Sequence, residues 1–272
     1  MIDNSFKFFG RTNVFNMGKL TYQFQLIRAI RNYFEEKDFL DVLTPPIVEN
    51  PGMETHIHPF QIHKTSTNTT TDLYLHTSPE FHMKKLLAEN EDFKNIFTIN
   101  YCFRDEPESQ IHRPQFLMLE WYRRNSFYTD IMNDVEGLIK NIQEKMKTKI
   151  QIANFERVTI KDLILEESNF NILDFLSKED LKQKIQKDFK DVPLPSVDCS
   201  WDDYYFLFFL NKIEPLLKNY PYLLLYEFPA PLSALSTLKK GNPKVCERFE
   251  VYLKGIELCN CFNELTDFDE QK

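Results

Sequence analysis

At 272 residues the chain is long enough for one large domain with a full core. With 25 Phe against only 6 Gly it reads as a densely packed α/β or α+β protein and not as a disordered or low-complexity one. A formal net charge of -8 weighs against a surface that holds nucleic acid mainly through phosphates. The longest apolar run, Tyr204 to Leu210, falls far short of the ~18 residues of a membrane span, and the first residues contain no apolar leader core. Five cysteines, odd in number and unevenly spaced, fit a reducing cytoplasm better than a disulfide framework.

Leu20, Phe24, Ile27, Ile30 and Phe34 recur at helical spacing and predict a helix over Gly18 to Asp38. A short strand follows at Phe39 to Val42, and Thr44-Pro45-Pro46 stops it. His56 to Phe60 reads as another strand. Its His56-x-His58 pair is of a type that ligates metals, but no Cys, Asp or Glu cluster follows at metal-site spacing. Lys64 to Asp72 is a polar loop and Leu73 to His76 a short strand. Thr77 and Glu80 then stand at capping-box spacing, and Pro79 suits the first turn of a helix that runs through Leu87. A free helix N-terminus also attracts anions, so Glu80 can cap and still sit at the rim of a pocket.

Ile96 to Phe103 is apolar enough for a buried strand and ends abruptly in Arg104-Asp105-Glu106. A polar loop with Pro107, His112, Arg113 and Pro114 leads to a second strand, Gln115 to Arg123. There Phe116, Met118, Glu120 and Tyr122 share one face, and Leu117, Leu119 and Trp121 the other. A carboxylate aimed at a sheet surface is costly unless paired. Water on an open face, another chain segment or a cationic ligand each satisfies Glu120. Further helices are predicted at Thr129–Lys147, Ile160–Glu167, Ser177–Phe189 and Ser200–Lys218, the last kinked near Pro215. No linker or internal repeat interrupts the chain, so one domain over residues 1–272 is expected.

Pro221 to Phe228 reads as a buried strand. Cys246 to Leu253, a Lys254-Gly255 turn and Ile256 to Leu265 form a hairpin. Glu250, Glu257 and Glu264 recur every seven residues in these mostly apolar strands. Uncompensated, three carboxylates raise one another's pKa. A solvated strand face relieves that, and so does Mg²⁺ bound together with phosphates. Strict alternation puts Glu250, Asn260, Phe262 and Glu264 in one register and Glu257 in the other. A shared site therefore requires a bulge.

Phe103-Arg104-Asp105-Glu106, His112-Arg113 and Phe116, continuing into Glu120-Trp121-Tyr122, resemble motif 2 of the class II aminoacyl-tRNA synthetases. The helix, strand and proline before them resemble motif 1, which forms a dimer interface in that class. The run Met118 to Tyr122 is similar to the lysyl branch, including its short paralogues that lysylate elongation factor P. Glu247-Arg248-Phe249-Glu250, Gly255-Ile256-Glu257-Leu258 and Asn260-x-Phe262-x-Glu264 resemble the same branch, with Cys261 where Gly is usual and Asn263 where His or Ser is.

The resemblance implies an α+β fold, an antiparallel sheet flanked by helices. It implies ATP-dependent activation of lysine or β-lysine as an aminoacyl-adenylate and transfer to a lysine side chain of elongation factor P. On this reading Arg104 bridges the α-phosphate and the reacting carboxylate. Phe116 stacks on adenine, Glu106 reads its amino group, and His112 and Arg113 lie near the phosphates. Glu250 and Glu257 hold Mg²⁺, with Leu258 beside them in the ATP site. Ser78, Glu80, Glu120, Tyr122, Asn260 and Glu264 contact the amino acid. The attacking carboxylate is already ionised at neutral pH, so positioning and charge neutralisation carry the chemistry.

The resemblance further implies a homodimer. Only the residues before Gly18 precede the first helix, so no anticodon-binding barrel is expected, and the acidic charge adds weight against tRNA as a partner. The glycine-rich motif 3 of the family is not matched before Lys272. The expected sheet is accordingly C-terminally incomplete, with an apolar edge. Three readings follow: a ligase acting on a protein lysine, a tRNA-charging enzyme, and a catalytically silent paralogue serving as a binding or regulatory subunit.

Overall fold

A computed structural model describes residues 17–52, 57–107, 112–147 and 155–271. The chain divides into two compact units, Met1–Ser126 with Asn141–Thr148 and Phe127–Lys140 with Lys149–Lys272. Among the described residues no helix is long and apolar enough to cross a membrane.

In the first unit α1 (Met17–Glu35) leads into β1 (Leu40–Asp41), β2 (Ile47–Val48), β3 (Gln61–Lys64), β4 (Thr69–Leu75), α2 (Glu80–Glu89), β5 (Asn95–Phe103) and β6 (Gln115–Arg123). Phe34 at the end of α1 is fully buried, with its ring against Phe39 and Phe97 at 4.9 Å and Trp121 at 5.4 Å. That aromatic cluster fixes α1 on the sheet β1-β5-β6. β1 runs parallel to β5. β5 and β6 pair antiparallel along their whole length, from Asn95 opposite Arg123 to Phe103 opposite Gln115. Asn100 donates to the carbonyl and the hydroxyl oxygen of Thr44 at 2.8 and 2.9 Å, pinning the proline segment to β5. Arg124 donates to carbonyls of Leu87, Phe93 and Asn90, which closes the C-terminal end of α2.

Three local expectations are corrected. The strand expected at His56–Phe60 lies at Gln61–Lys64, and His56 falls outside the described residues. The expected polar loop Lys64–Asp72 is a hairpin whose second strand starts at Thr69, four residues before Leu73. Its threonines are β-branched and extend the strand, while Asn68 takes the left-handed turn position at φ 52. The capping box does not form. Pro79 occupies the N-cap of α2 without a side-chain bond, and the Thr77 hydroxyl donates instead to the Pro51 carbonyl at 2.7 Å.

The second unit takes residues of α3 (Tyr128–Met146) up to Lys140 and continues with β7 (Glu156–Thr159), α4 (Ile160–Ser168), α5 (Lys178–Asp188), α6 (Trp201–Phe208), α7 (Glu214–Leu217), β8 (Tyr222–Tyr226), β9 (Arg248–Leu253) and β10 (Ile256–Phe262). The sheet order is β10-β9-β8-β7, antiparallel except for β7 against β8. One core joins the helices to the sheet through Ile160, Leu163, Leu181, Ile185, Tyr204, Phe208, Leu223 and Leu225. Between α6 and α7 the chain widens into a π-turn over Phe209–Ile213, where Glu214 donates to Phe209. Pro215 explains it: the ring lacks an N–H and crowds the carbonyl four residues back, and the wider turn absorbs both. The kink expected there takes this form. Ser200 and Asp203 form a reciprocal capping box at the start of α6. The fold is mixed α+β with mainly antiparallel sheets, as expected. Among the described strands β6 and β10 each stand at an end of their sheet.

Candidate active site

In the first unit the loop after β5 and the start of β6 enclose a cavity of about 180 Å³ lined by Arg104, Glu106, His112, Arg113 and Phe116. The backbone builds it in two steps. Arg104 N–H bonds the Pro114 carbonyl at 2.9 Å and so extends the β5–β6 ladder by one rung, and Asp105 N–H turns away to the His58 carbonyl at 2.7 Å. The Arg104 guanidinium lies over the Phe116 ring, 5.2 Å from its centroid. Its Nε is buried and has no hydrogen-bond partner, an arrangement that favours an incoming anion. His112 and Arg113 are exposed at the mouth.

The same strand face runs on to Glu120 and Tyr122. Cross-strand register sets Phe116 opposite Cys102, Glu120 opposite Thr98 and Tyr122 opposite Ile96. Tyr122 donates to Glu120 Oε1 at 2.8 Å, so the carboxylate is satisfied in part by its own strand. Thr98 beneath it is fully buried with an unpartnered hydroxyl. Burial pushes the Cys102 thiol up to about 12, and the neighbouring Glu120 adds to that while Arg104 opposes it.

Ser78 and Glu80 are half-buried at the start of α2, where Lys84 donates to Glu80 at 2.7 Å. His76 ties this turn to the site. Its Nε2 lies 2.6 Å from the Tyr101 carbonyl, its backbone oxygen accepts from Phe103 N–H, and its Nδ1 is buried without a partner. Sequence reasoning missed His76. Its position directly before Thr77-Ser78-Pro79-Glu80 was the available signal.

In the second unit the β9–β10 hairpin turns through Lys254 and Gly255, both at positive φ, 50° and 82°. Glu257 faces Tyr252, Cys259 faces Val251 and Asn260 faces Glu250, so Leu258 is an extra residue with no opposite number. This is the bulge that strict alternation required. It puts Arg248, Glu250 and Tyr252 of β9 on one face with Glu257, Asn260 and Phe262 of β10. Glu250 is buried, while Glu257, Leu258 and Asn260 are exposed. Glu264 lies beyond β10 in a bridge to Ser236. Cys261 stands on the opposite face, across from Phe249, and Asn263 donates its amide to Glu247. The two departures from the family pattern are therefore packing features of this hairpin.

Both oxygens of Glu250 are engaged: Arg248 donates to one at 2.7 Å and Tyr252 to the other at 2.5 Å. Burial, then the adjoining Glu250 carboxylate, holds the Tyr252 phenol well above its usual range, so it remains a donor. Tyr205 in the core below is likewise raised by burial and by Glu250, and its hydroxyl has no partner. Among the described residues no group of three or more His, Cys, Asp or Glu side chains could hold a metal by itself. A larger, open hollow of about 330 Å³ beside Lys218, Lys254 and Gly255 contains none of the candidate residues.

Residues 10–272 match the family model described as tRNA synthetases class II (D, K and N). The chain is 31% identical over 262 residues to the elongation factor P–(R)-beta-lysine ligase of Pectobacterium carotovorum, covering 94% of this chain and 76% of that protein. It is similarly 31% identical over 263 residues to the ligase of that name from Vibrio cholerae, with the same shares covered. For the Yersinia enterocolitica ligase the identity is 32% over 249 residues, 90% of this chain and 73% of the relative.

Proposed function

The chain belongs to the class II tRNA synthetase family (D, K and N), and on that premise we propose that it activates lysine or β-lysine with ATP as an aminoacyl-adenylate and passes the acyl group to a lysine side chain of elongation factor P. The observation that carries this reading is the buried, partnerless Nε of Arg104 in a cavity with Arg113, His112, Glu106 and Phe116. A planar fork there suits an α-phosphate and a carboxylate together.

ATP and Mg²⁺ fit the residues present. Mg²⁺ is commonly held by one or two carboxylates plus substrate phosphates and not by an all-protein cage. Glu250 and Glu257, two acids on one hairpin face, make such a partial set. When bound, the ion supplies charge neutralisation on the phosphates. Arg104 orients the attacking carboxylate and Phe116 supports the adenine. Glu106, His112 and Arg113 complete that cavity. Glu120 and Tyr122 offer a carboxylate and a phenol oxygen to an ammonium group, and Ser78, Glu80, Asn260 and Glu264 complete the amino-acid contacts.

A homodimer belongs to the same proposal. Tyr22, Phe24, Leu40, Leu43 and Ile47 are all exposed in the segment that resembles motif 1, although Phe24 belongs to the periodic apolar set of α1. A cytoplasmic location agrees with five free cysteines, and a single catalytic domain over 1–272 belongs to the same proposal. Lysine-dependent exchange of pyrophosphate into ATP tests the activation step. Labelled acyl group appearing on elongation factor P, and not on tRNA, tests the transfer. Absence of exchange with either lysine isomer would leave only the silent-subunit reading.

A further inference from the structure

The Glu-Arg-Phe-Glu run holds a charged residue to which the proposed reaction gives no role. Arg248 precedes Glu250 by two residues on β9 and shares its face. Its guanidinium donates to Glu250 Oε1 at 2.7 Å, to Asn260 Oδ1 at 3.2 Å and to the Leu232 carbonyl at 3.4 Å. The rings of Phe228 and Phe262 lie against it at 4.7 and 5.1 Å, and its side chain is only 13% exposed. Held by two aromatic rings and three acceptors, the fork has little freedom.

We propose that Arg248 is a positioning residue that sets Glu250 and Asn260 with one guanidinium, and so aligns the metal-side carboxylate with the amino-acid-side amide. The inference rests on the proposed function. Arginine only donates, so the Asn260 atom facing it must be the carbonyl oxygen. The Asn260 amide N–H₂ is then directed away, toward an acceptor such as the carboxylate of an amino acid. On Glu250, each oxygen takes one hydrogen bond and keeps a lone-pair direction for a cation. A lysine at 248 keeps the charge but presents a point ammonium, which does not reproduce the fork.

The test is calorimetric titration of lysine and of β-lysine into the wild type and Arg248→Lys, without nucleotide or metal, paired with the Mg²⁺ dependence of pyrophosphate exchange supported by whichever isomer binds. The expected result is lysine binding weakened about tenfold and half-maximal Mg²⁺ raised about tenfold, the usual scale for removing a residue that orients a ligand. In Asn260→Ala the effect of Arg248→Lys on lysine binding should shrink. A purely structural role lowers the fraction of competent protein, and with it the titration stoichiometry, but leaves the dissociation constant unchanged. Arg248→Gln serves the same comparison if the lysine variant does not fold. Wild-type values for both constants in a folded variant overturn the inference alone. A wild type that binds neither lysine nor β-lysine and exchanges pyrophosphate with neither overturns it together with the proposed function.

Discussion

Tyr122 donates its phenol proton to Oε1 of Glu120, two residues back on the same face of one strand, at 2.8 Å. The bond orients the carboxylate without neutralising it. Tyr122→Phe should therefore raise the KM for lysine about tenfold with kcat little changed, the scale of one hydrogen bond to a charged group. Glu120→Gln removes the charge itself and should lower kcat/KM about a hundredfold. Exchange rates as a function of lysine concentration check both.

Arg104 is expected to matter through its shape as well as its charge. Arg104→Ala should lower exchange by roughly 10²–10³, in the range seen when one preorganised donor is removed from a reacting centre. Arg104→Lys should recover little of it. Phe116→Ala should raise the KM for ATP about tenfold through lost base stacking and leave the KM for lysine unchanged. Equal effects on both substrates would contradict the division of roles.

Gly255 is a stability prediction. It sits at φ 82°, and a Cβ there would lie 3.1 Å from the backbone nitrogen of Lys218. Gly255→Ala meets both the left-handed backbone and a rigid neighbour, so a loss of about 1–3 kcal/mol is expected. Urea denaturation should give a lower midpoint at an unchanged slope.

The pH dependence of stability should show His76. Burial lowers its pKa below the ordinary 6.5, opposed by its bond to Tyr101 and helped slightly by His82, which is itself lowered by burial. The folded state then binds fewer protons than the unfolded chain below pH 6.5. Stability is full above that pH and falls as the pH drops through it toward the folded value. His76→Gln keeps a donor for the Tyr101 carbonyl and should flatten the slope between pH 7 and pH 5. Denaturant midpoints across that range give the answer.

Thiol reactivity is a further check. Burial pushes Cys102 and Cys259 up to about 12 and Cys246 to about 11, so almost none is thiolate at neutral pH. Native protein treated with iodoacetamide at about pH 8 should leave these three unmodified, and denatured protein should label all of them. Peptide mass spectrometry distinguishes the outcomes.

Much of the first unit was legible because its signals are local. The span Gln115 to Arg123 and its alternating faces follow from period-two patterning, and β6 has those bounds. Thr69 to Asp72 misled because threonines look like a polar loop until a partner strand is known, and Lys64 opposite Thr69 supplies that partner. Thr77 failed as a cap because the Pro51 carbonyl, distant in sequence, took its hydroxyl. β7 was missed because its four residues, Glu156 to Thr159, are too few to display a period. At the hairpin the need for a bulge was visible from Glu257 and Asn260, but its place was not. The Arg248 contacts with Asn260 and Leu232 depend on chain segments that only the fold brings together.

The unpaired Leu258 makes the hairpin unequal toward changes of length. Loss of one residue between Glu257 and Asn260 would merely restore a regular ladder, with both side chains still on their present side. Gain of one residue there would also give an even spacing and keep the side chains on their face. A regular ladder would then, however, slide the downstream strand by two positions and carry Asn260 from opposite Glu250 to opposite Arg248. Shortening the stretch therefore keeps Asn260 against Glu250, while lengthening it parts the two even though neither leaves its face.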